Sequence, residues 1–284
     1  MSLPAALAFF LALALLVAAG LAGPTLWVSL RRARVMREPF PEPWRAVLRR
    51  HMPLYAELRA DTRERLEPRI QVLLAEVPFI GCGGLVVSDE MRVLVAAQAA
   101  LLLLERGYGF GTLRQVLLYP GHFVVDRAEP GAGGLVHETR NVLVGESWRQ
   151  GQVVLAWDAV LAGAADAHDG ANVVIHEFAH QLDQEDGRAD GVPFLGAGTG
   201  GGAQARRRRL QRWAEVMNHE YRALQARLAR GESGLIDAYA ASAPAEFFAV
   251  VSELFFEKPA ALAEAHPALF EEMRRCYRLD PRDW

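Results

Sequence analysis

Val173-Val174-Ile175-His176-Glu177-Phe178-Ala179-His180-Gln181-Leu182-Asp183 is the stretch on which the reading of this chain turns. Its residues predict a helix, and residues four apart on a helix share a face, one turn from each other. His176 and His180 can therefore direct imidazole nitrogens at one ion. Glu177 lies about 100° round the helix from His176, too far displaced to join them but able to reach a water beside that ion. This is the arrangement expected of a hydrolytic zinc site, with Glu177 as general base. The flanking side chains are almost all apolar, which marks the helix as buried. Two histidines and a glutamate are costly there unless partners or a metal satisfy them.

A catalytic zinc needs a third protein ligand and one open position. A local candidate is Asp186, the sixth residue after the second histidine, but the glycine that this pattern places at the third position is missing, and Asp183 stands there instead. A distant candidate lies in Pro244-Ala245-Glu246-Phe247-Phe248-Ala249-Val250-Val251-Ser252-Glu253, another apolar helix with embedded acids. Glu246 and Glu253 are seven apart and face the same way, so spacing does not choose between them. Asp183, one turn beyond His180, is a candidate partner for a ligand imidazole or a surface or capping acid. His51, His122, His137, His168, His219 and His266 show no ligand spacing and take ordinary surface or core roles.

Outward from this centre the chain has the length, 284 residues, for a sizeable buried core, and 51% hydrophobic residues exclude global disorder. A net charge of -3 offers no polyanion-binding footprint, so no nucleic-acid partner is expected. Cys82 and Cys276 are too few for a disulfide framework or a thiolate zinc site. Between Ser2 and Leu30 there is no charged side chain, a run long enough to cross a bilayer, which takes about 20 helical residues. Gly23-Pro24 ends it, Trp27 suits the interface, and Arg31, Arg32, Arg34 and Arg37 follow. Positive charge only after the apolar run argues for an uncleaved anchor rather than a signal peptide. It also places the N-terminus outside and the body in the cytoplasm, single-pass in the inner membrane.

The expected organisation is an anchor over 1–30, a basic juxtamembrane linker with short helices over 31–60, and one domain over 61–284. Helices are predicted over Arg63–Val77, Val93–Leu104 (a buried core helix), from about Ala171, over 204–230, 244–257 and 259–276. Strand signals fall at 116–119, 123–126, 141–145 and 153–157, and one of the strands within 141–157 is expected to offer a free edge to an extended peptide. Gly107–Gly111 is a turn, Gly196–Gly202 a flexible loop, and Arg206–Arg209 the solvated start of the long helix. Helices, then strands, then helices make the class α+β, mostly helical with a small mixed sheet.

Several spaced motifs carry a family resemblance: His-Glu-Phe-Ala-His-Gln-Leu-Asp at 176–183, Asp190-Gly191-Val192-Pro193-Phe194, Ile236-Asp237-Ala238-Tyr239-Ala240-Ala241, Pro244-Ala245-Glu246, Val116-Leu117-Leu118-Tyr119-Pro120 and Phe123-Val124-Val125-Asp126. Over roughly residues 45–284 the chain resembles the Mlc titration factor A family of zinc peptidases. The resemblance implies a zincin-like metallopeptidase fold related to the catalytic domain of anthrax lethal factor. It implies one zinc per chain, with Glu246 as the third ligand beside His176 and His180. It also implies Tyr239 near the metal, where its phenol would hydrogen-bond an oxyanion, and a peptide or protein substrate. The family further implies sequestration of a glucose-responsive transcriptional repressor, so a membrane-tethered regulatory binding protein is the alternative function. The anchor and the Gly-rich, four-Arg stretch depart from the family pattern.

Overall fold

The structure, a computed structural model, describes residues 26–284 except 108, 122, 131–135, 144, 149–150 and 196–201, with scattered positions before 26 and the backbone alone within 122–150. The expected anchor over 1–30 lies mainly outside the described residues. Among the described residues no helix is long and apolar enough to cross a membrane. The expected loop over 196–202 lies almost wholly outside them too.

The domain is mostly helical around a small sheet. Its helices are α1 (Glu42–His51), α2 (Pro53–Glu57), α3 (Ala60–Glu76), α4 (Asp89–Leu101), α5 (Trp157–Ala165), α6 (Val173–Asp183), α7 (Ala203–Ala229), α8 (Pro244–Glu257), α9 (Pro259–Ala265) and α10 (Pro267–Tyr277). The strands are β1 (Phe79–Gly81), β2 (Gln115–Tyr119), β3 (Phe123–Pro130), β4 (Val136–Leu143), β5 (Gly145–Trp148) and β6 (Gln152–Ala156). One sheet has the order β1-β2-β6-β5, and β3 and β4 form a separate hairpin. Strands β1, β2 and β6 run parallel, with Val116 opposite both Phe79 and Val153, while β5 pairs antiparallel with β6. Parallel neighbours need a long crossover, and α4 supplies it between β1 and β2.

The core explains these elements. Every residue from Val93 to Leu104 is buried, and the run forms a central helix as far as Leu101, with Leu102–Leu104 in the turn that follows. The helix starts at Asp89 because the Ser88 side chain accepts the Met91 N–H. In β2 the alternation sends Val116 and Leu118 into the main core, while Leu117 and Tyr119 pack with Val154 and Ala156 on the opposite face. Phe40, Leu48, Met52, Leu54 and Leu58 join that same main core. The segment expected as a linker therefore packs onto the domain from Phe40 onward.

Three local expectations need correction, and one short strand was not expected. Helix α5 precedes the point at which helices were expected to return: the apolar strand β6 ends at Ala156 and Trp157 opens a helix. The strand expected over 141–145 is divided between the end of β4 and the start of β5. The three-residue β1 is too short for a sequence pattern to reveal. The helix expected over 259–276 breaks at His266, because Pro267 lacks an N–H and disfavours helical geometry in the residue before it.

Candidate metal centre

Two helices bring the site together. Helix α6 begins at Val173 because Asn172 caps it: the Asn172 side-chain oxygen accepts the N–H groups of Val174 and Ile175 at 3.1 and 3.0 Å. Its apolar residues Val174, Ile175, Phe178, Ala179 and Leu182 are all in the core. Helix α8 begins at Pro244, a residue suited to the first helical position, where no N–H is needed. The N-terminal part of α6 meets Glu253 in the second half of α8, and the segment after α6 meets Pro244 at its start, so the two helices run antiparallel.

The ligand atoms of His176, His180 and Glu246 lie within 4.8 Å of one another, and they form a candidate metal-holding group among the described residues. Nε2 of His176 is 3.0 Å and Nε2 of His180 3.3 Å from the same Glu246 oxygen, Oε2. Donors bound about 2.0–2.2 Å from one tetrahedral ion sit about 3.3 Å apart, so these two separations match the edges of such a site. The two imidazole rings stand edge to face, with centroids 4.9 Å apart. Two nitrogens and one carboxylate oxygen are the donor set that a borderline-soft divalent ion takes.

Glu246 and Glu253, degenerate by spacing, are separated by the tertiary structure. They hold opposite nitrogens of one ring: Glu246 faces Nε2 of His176, and Glu253 Oε1 lies 2.8 Å from Nδ1. Glu253 is thus behind the histidine and Glu246 in front of it. Asp183 and Asp186 stand outside the cluster. Asp186 is exposed and accepts the Arg188 N–H, whereas Asp183 is fully buried and accepts the Gly191 N–H at 3.0 Å.

The electrostatics favour a cation. Burial opposes charging of His176, but hydrogen bonds to Glu246 and Glu253, with the nearby Glu177 charge, push its pKa up to about 10. Burial would raise the Glu246 carboxyl, yet the hydrogen bonds from His176 and His180 hold it well below the usual carboxylate range. Glu177 is itself buried, at 4% exposure. Three carboxylates around two imidazoles leave an excess of negative charge, which the proton on His176 offsets in part and a divalent ion would offset better. The residues present fit a metal.

Tyr239 sits in a short 3-10 turn, Ala238–Ala241, capped by Asp237, whose side chain accepts the Tyr239 N–H at 2.8 Å. The turn packs on α8, and the Tyr239 ring lies 6.0 Å from that of His176 while remaining 56% exposed. The structure therefore brings His176, Glu177, His180, Glu246 and Tyr239 into one place.

Two residues escaped the sequence reading. Asn172 donates through Nδ2 to Gln98 at 2.9 Å, Gly163 at 3.1 Å and Glu257 at 3.0 Å, so one side chain joins α4, α5, α6 and α8. An Asn just before an apolar helical run is a legible capping signal, but its other bonds are not. Gly191 carries φ +77, and its carbonyl accepts the Trp213 indole N–H at 3.0 Å. A side chain there would meet the Pro244 carbonyl oxygen at 2.5 Å. Asp190-Gly191 announces a turn, but nothing local announces the proximity of Pro244.

Comparison with known proteins accords with this centre. The uncharacterized protein slr2042 of Synechocystis sp. is 40% identical over 257 residues, which is 90% of each chain. Mlc titration factor A of Yersinia pestis (strain Pestoides F) and that of Yersinia pseudotuberculosis serotype O:3 are each 35% identical over 237 residues, covering 81% of this chain and 83% of theirs. The family profile described as glucose-regulated metallo-peptidase M90 matches residues 27–278. With the His176, His180 and Glu246 cluster in place within that span, this chain belongs to the M90 metallopeptidase family.

Proposed function

We propose that the protein is a zinc-dependent peptidase of zincin-like architecture, holding one zinc through His176, His180 and Glu246. The observation that carries this reading is the convergence of both Nε2 atoms on one Glu246 oxygen, 3.0 and 3.3 Å away. A zinc ion held there supplies Lewis-acid polarisation of a water molecule and of the substrate carbonyl. Glu177, next to His176 in the chain and buried against the site, takes the water proton and passes it to the leaving amine. The exposed Tyr239 phenol donates a hydrogen bond to the oxyanion that develops on the carbonyl. Strand β5, at the end of the sheet order and packed against α6, offers its outer edge to an extended peptide.

The test is Glu177→Gln in the full chain. It keeps both imidazoles and Glu246, so zinc content by metal analysis stays at one per chain while peptide hydrolysis is lost. A zinc-loaded Glu177→Gln protein with full activity refutes the assignment.

Residues 1–30 form the membrane anchor in this reading, with the catalytic body cytoplasmic. Leu26, Trp27 and Leu30 are each about 60% exposed, and Arg31 and Arg32 follow directly, bonded to Ala75 and Glu76 at the end of α3. Large apolar side chains on the surface beside a basic cluster suit a chain leaving a bilayer.

A second reading rests on the relatives called Mlc titration factor A. There the tethered domain sequesters a transcriptional repressor and the metal centre is secondary. Capture of such a repressor by the Glu177→Gln protein, which binds without cutting, supports it.

A further inference from the structure

Glu253 is not among the three converging donors, yet both its oxygens are committed. Oε1 lies 2.8 Å from Nδ1 of His176, and Oε2 accepts the backbone N–H of Asn172 at 2.6 Å. Glu253 is 8% exposed. Its second partner caps α6, and the Asn172 side chain is bonded in turn to Gln98, Gly163 and Glu257.

We infer that Glu253 is a positioning residue for the metal centre, keeping the hydrogen of His176 on Nδ1 when a metal replaces the one that Nε2 shares with Glu246. This rests on the metal-centre reading above. A neutral imidazole carries one N–H, and an ionised carboxylate only accepts. A carboxylate facing Nδ1 therefore keeps a hydrogen there, so that a metal would displace only the one Nε2 shares with Glu246 and take the lone pair of that nitrogen. Because Asn172 holds the other oxygen, the carboxylate is not free to swing away. The orientation of the ring is thereby tied to the first turn of α6, and the reach of Glu253 along α8 sets both.

A purely structural Glu253 would serve only the Asn172 N–H, and a glutamine would serve as well. Glu253→Gln separates the two roles, since an amide has one accepting oxygen and one donating nitrogen but faces two donors. With its oxygen kept on Asn172, its NH2 meets Nδ1, which must then accept. That places the ring hydrogen on Nε2, where the metal binds.

The experiment is zinc titration of the metal-free full chain against a chromophoric chelator, for wild type, Glu253→Gln, Glu253→Asp and Glu246→Ala. The cobalt(II) absorption spectrum serves as the signature of coordination, and melting of the metal-free protein reports the fold. Glu253→Gln is expected to bind about 10- to 100-fold more weakly, the range for loss of such a partner, with one zinc at saturation and near-wild-type melting. Glu253→Asp, still an acceptor but one methylene shorter, falls between; should the glutamine variant fail to fold, weakened binding by the aspartate variant carries the inference. Wild-type affinity in whichever of these two variants folds overturns it. So does loss of zinc stoichiometry in the Glu253 variants with one zinc retained by Glu246→Ala, which would make Glu253 the ligand. No zinc uptake by the wild type overturns the metal-centre reading itself, and this inference with it.

Discussion

Replacing Gly191 by alanine tests how the two ligand-bearing helices are held in register. Gly191 is clasped from three sides: its N–H by Asp183 after the second histidine, its carbonyl by Trp213 of α7, and its Cα by the Pro244 carbonyl at the start of α8. A Cβ would stand 2.5 Å from that oxygen and 3.0 Å from the carbonyl carbon. Relief to 3.0 Å requires a displacement of roughly 0.5 Å by backbone rather than by a flexible side-chain tip. The left-handed φ of +77 adds about 1–2 kcal/mol for a residue with a Cβ. The overpacking adds about 1–3 kcal/mol, so the total is about 2–5 kcal/mol against a typical domain stability of about 5–15. Pro244 is two residues before Glu246, so the strain also moves the carboxylate relative to both imidazoles, and metal sites tolerate only about 0.2 Å. Urea denaturation of the metal-free protein should show a lower midpoint with an unchanged slope. Chelator competition should show weaker zinc binding by the protein that remains folded. A Gly191→Ala protein with wild-type midpoint and wild-type zinc affinity refutes the clasp.

Glu246→Ala should lower the zinc content, measured by metal analysis, because the remaining two imidazoles make an incomplete site. Tyr239→Phe should reduce kcat about 10²- to 10³-fold, the cost of one oxyanion donor, with zinc content and KM unchanged in steady-state assays. Asn172→Ala removes an N-cap and leaves buried partners at Gln98, Gly163 and Glu257, so unfolding measurements should show a loss of about 2–4 kcal/mol. Burial pushes the Glu257 carboxyl up to about 8 from an ordinary value of 4.5. Between those values the folded chain holds a proton that the unfolded chain has released. Stability from this group is thus complete below 4.5 and is lost as the pH rises through 8. Glu257→Gln keeps the acceptor for Asn172 and removes the ionisation, so its denaturation midpoint should fall less steeply over that window.

The long or strongly periodic elements were legible in the sequence. The buried run Val93–Leu104, the capped helix at Val173, the long α7 and the Pro-initiated α8 each carry a local signal of apolar period or cap. The short or context-made features were not. Strand β1 exists only because β2 offers it a parallel neighbour, and the division of β4 from β5 follows from pairing with different partners. The burial of Asp183 also lay beyond the local pattern, which permitted a surface acid equally well.

By itself the sequence determined the first half of the metal centre. His176 and His180 share a face because the α-helix repeats every 3.6 residues, and that holds for any tertiary arrangement. Only the tertiary structure decided the second half. Glu246 and Glu253 are seven residues apart on one face of α8, so helical geometry presents both to α6 alike. Which of them meets Nε2 depends on the direction and offset at which the helices pack. Here α8 runs antiparallel to α6, with its first turn lodged against Gly191 and its second half against Asn172. That packing puts Glu246 before the histidines and Glu253 behind, a choice made by contacts between residues some seventy positions apart in the chain.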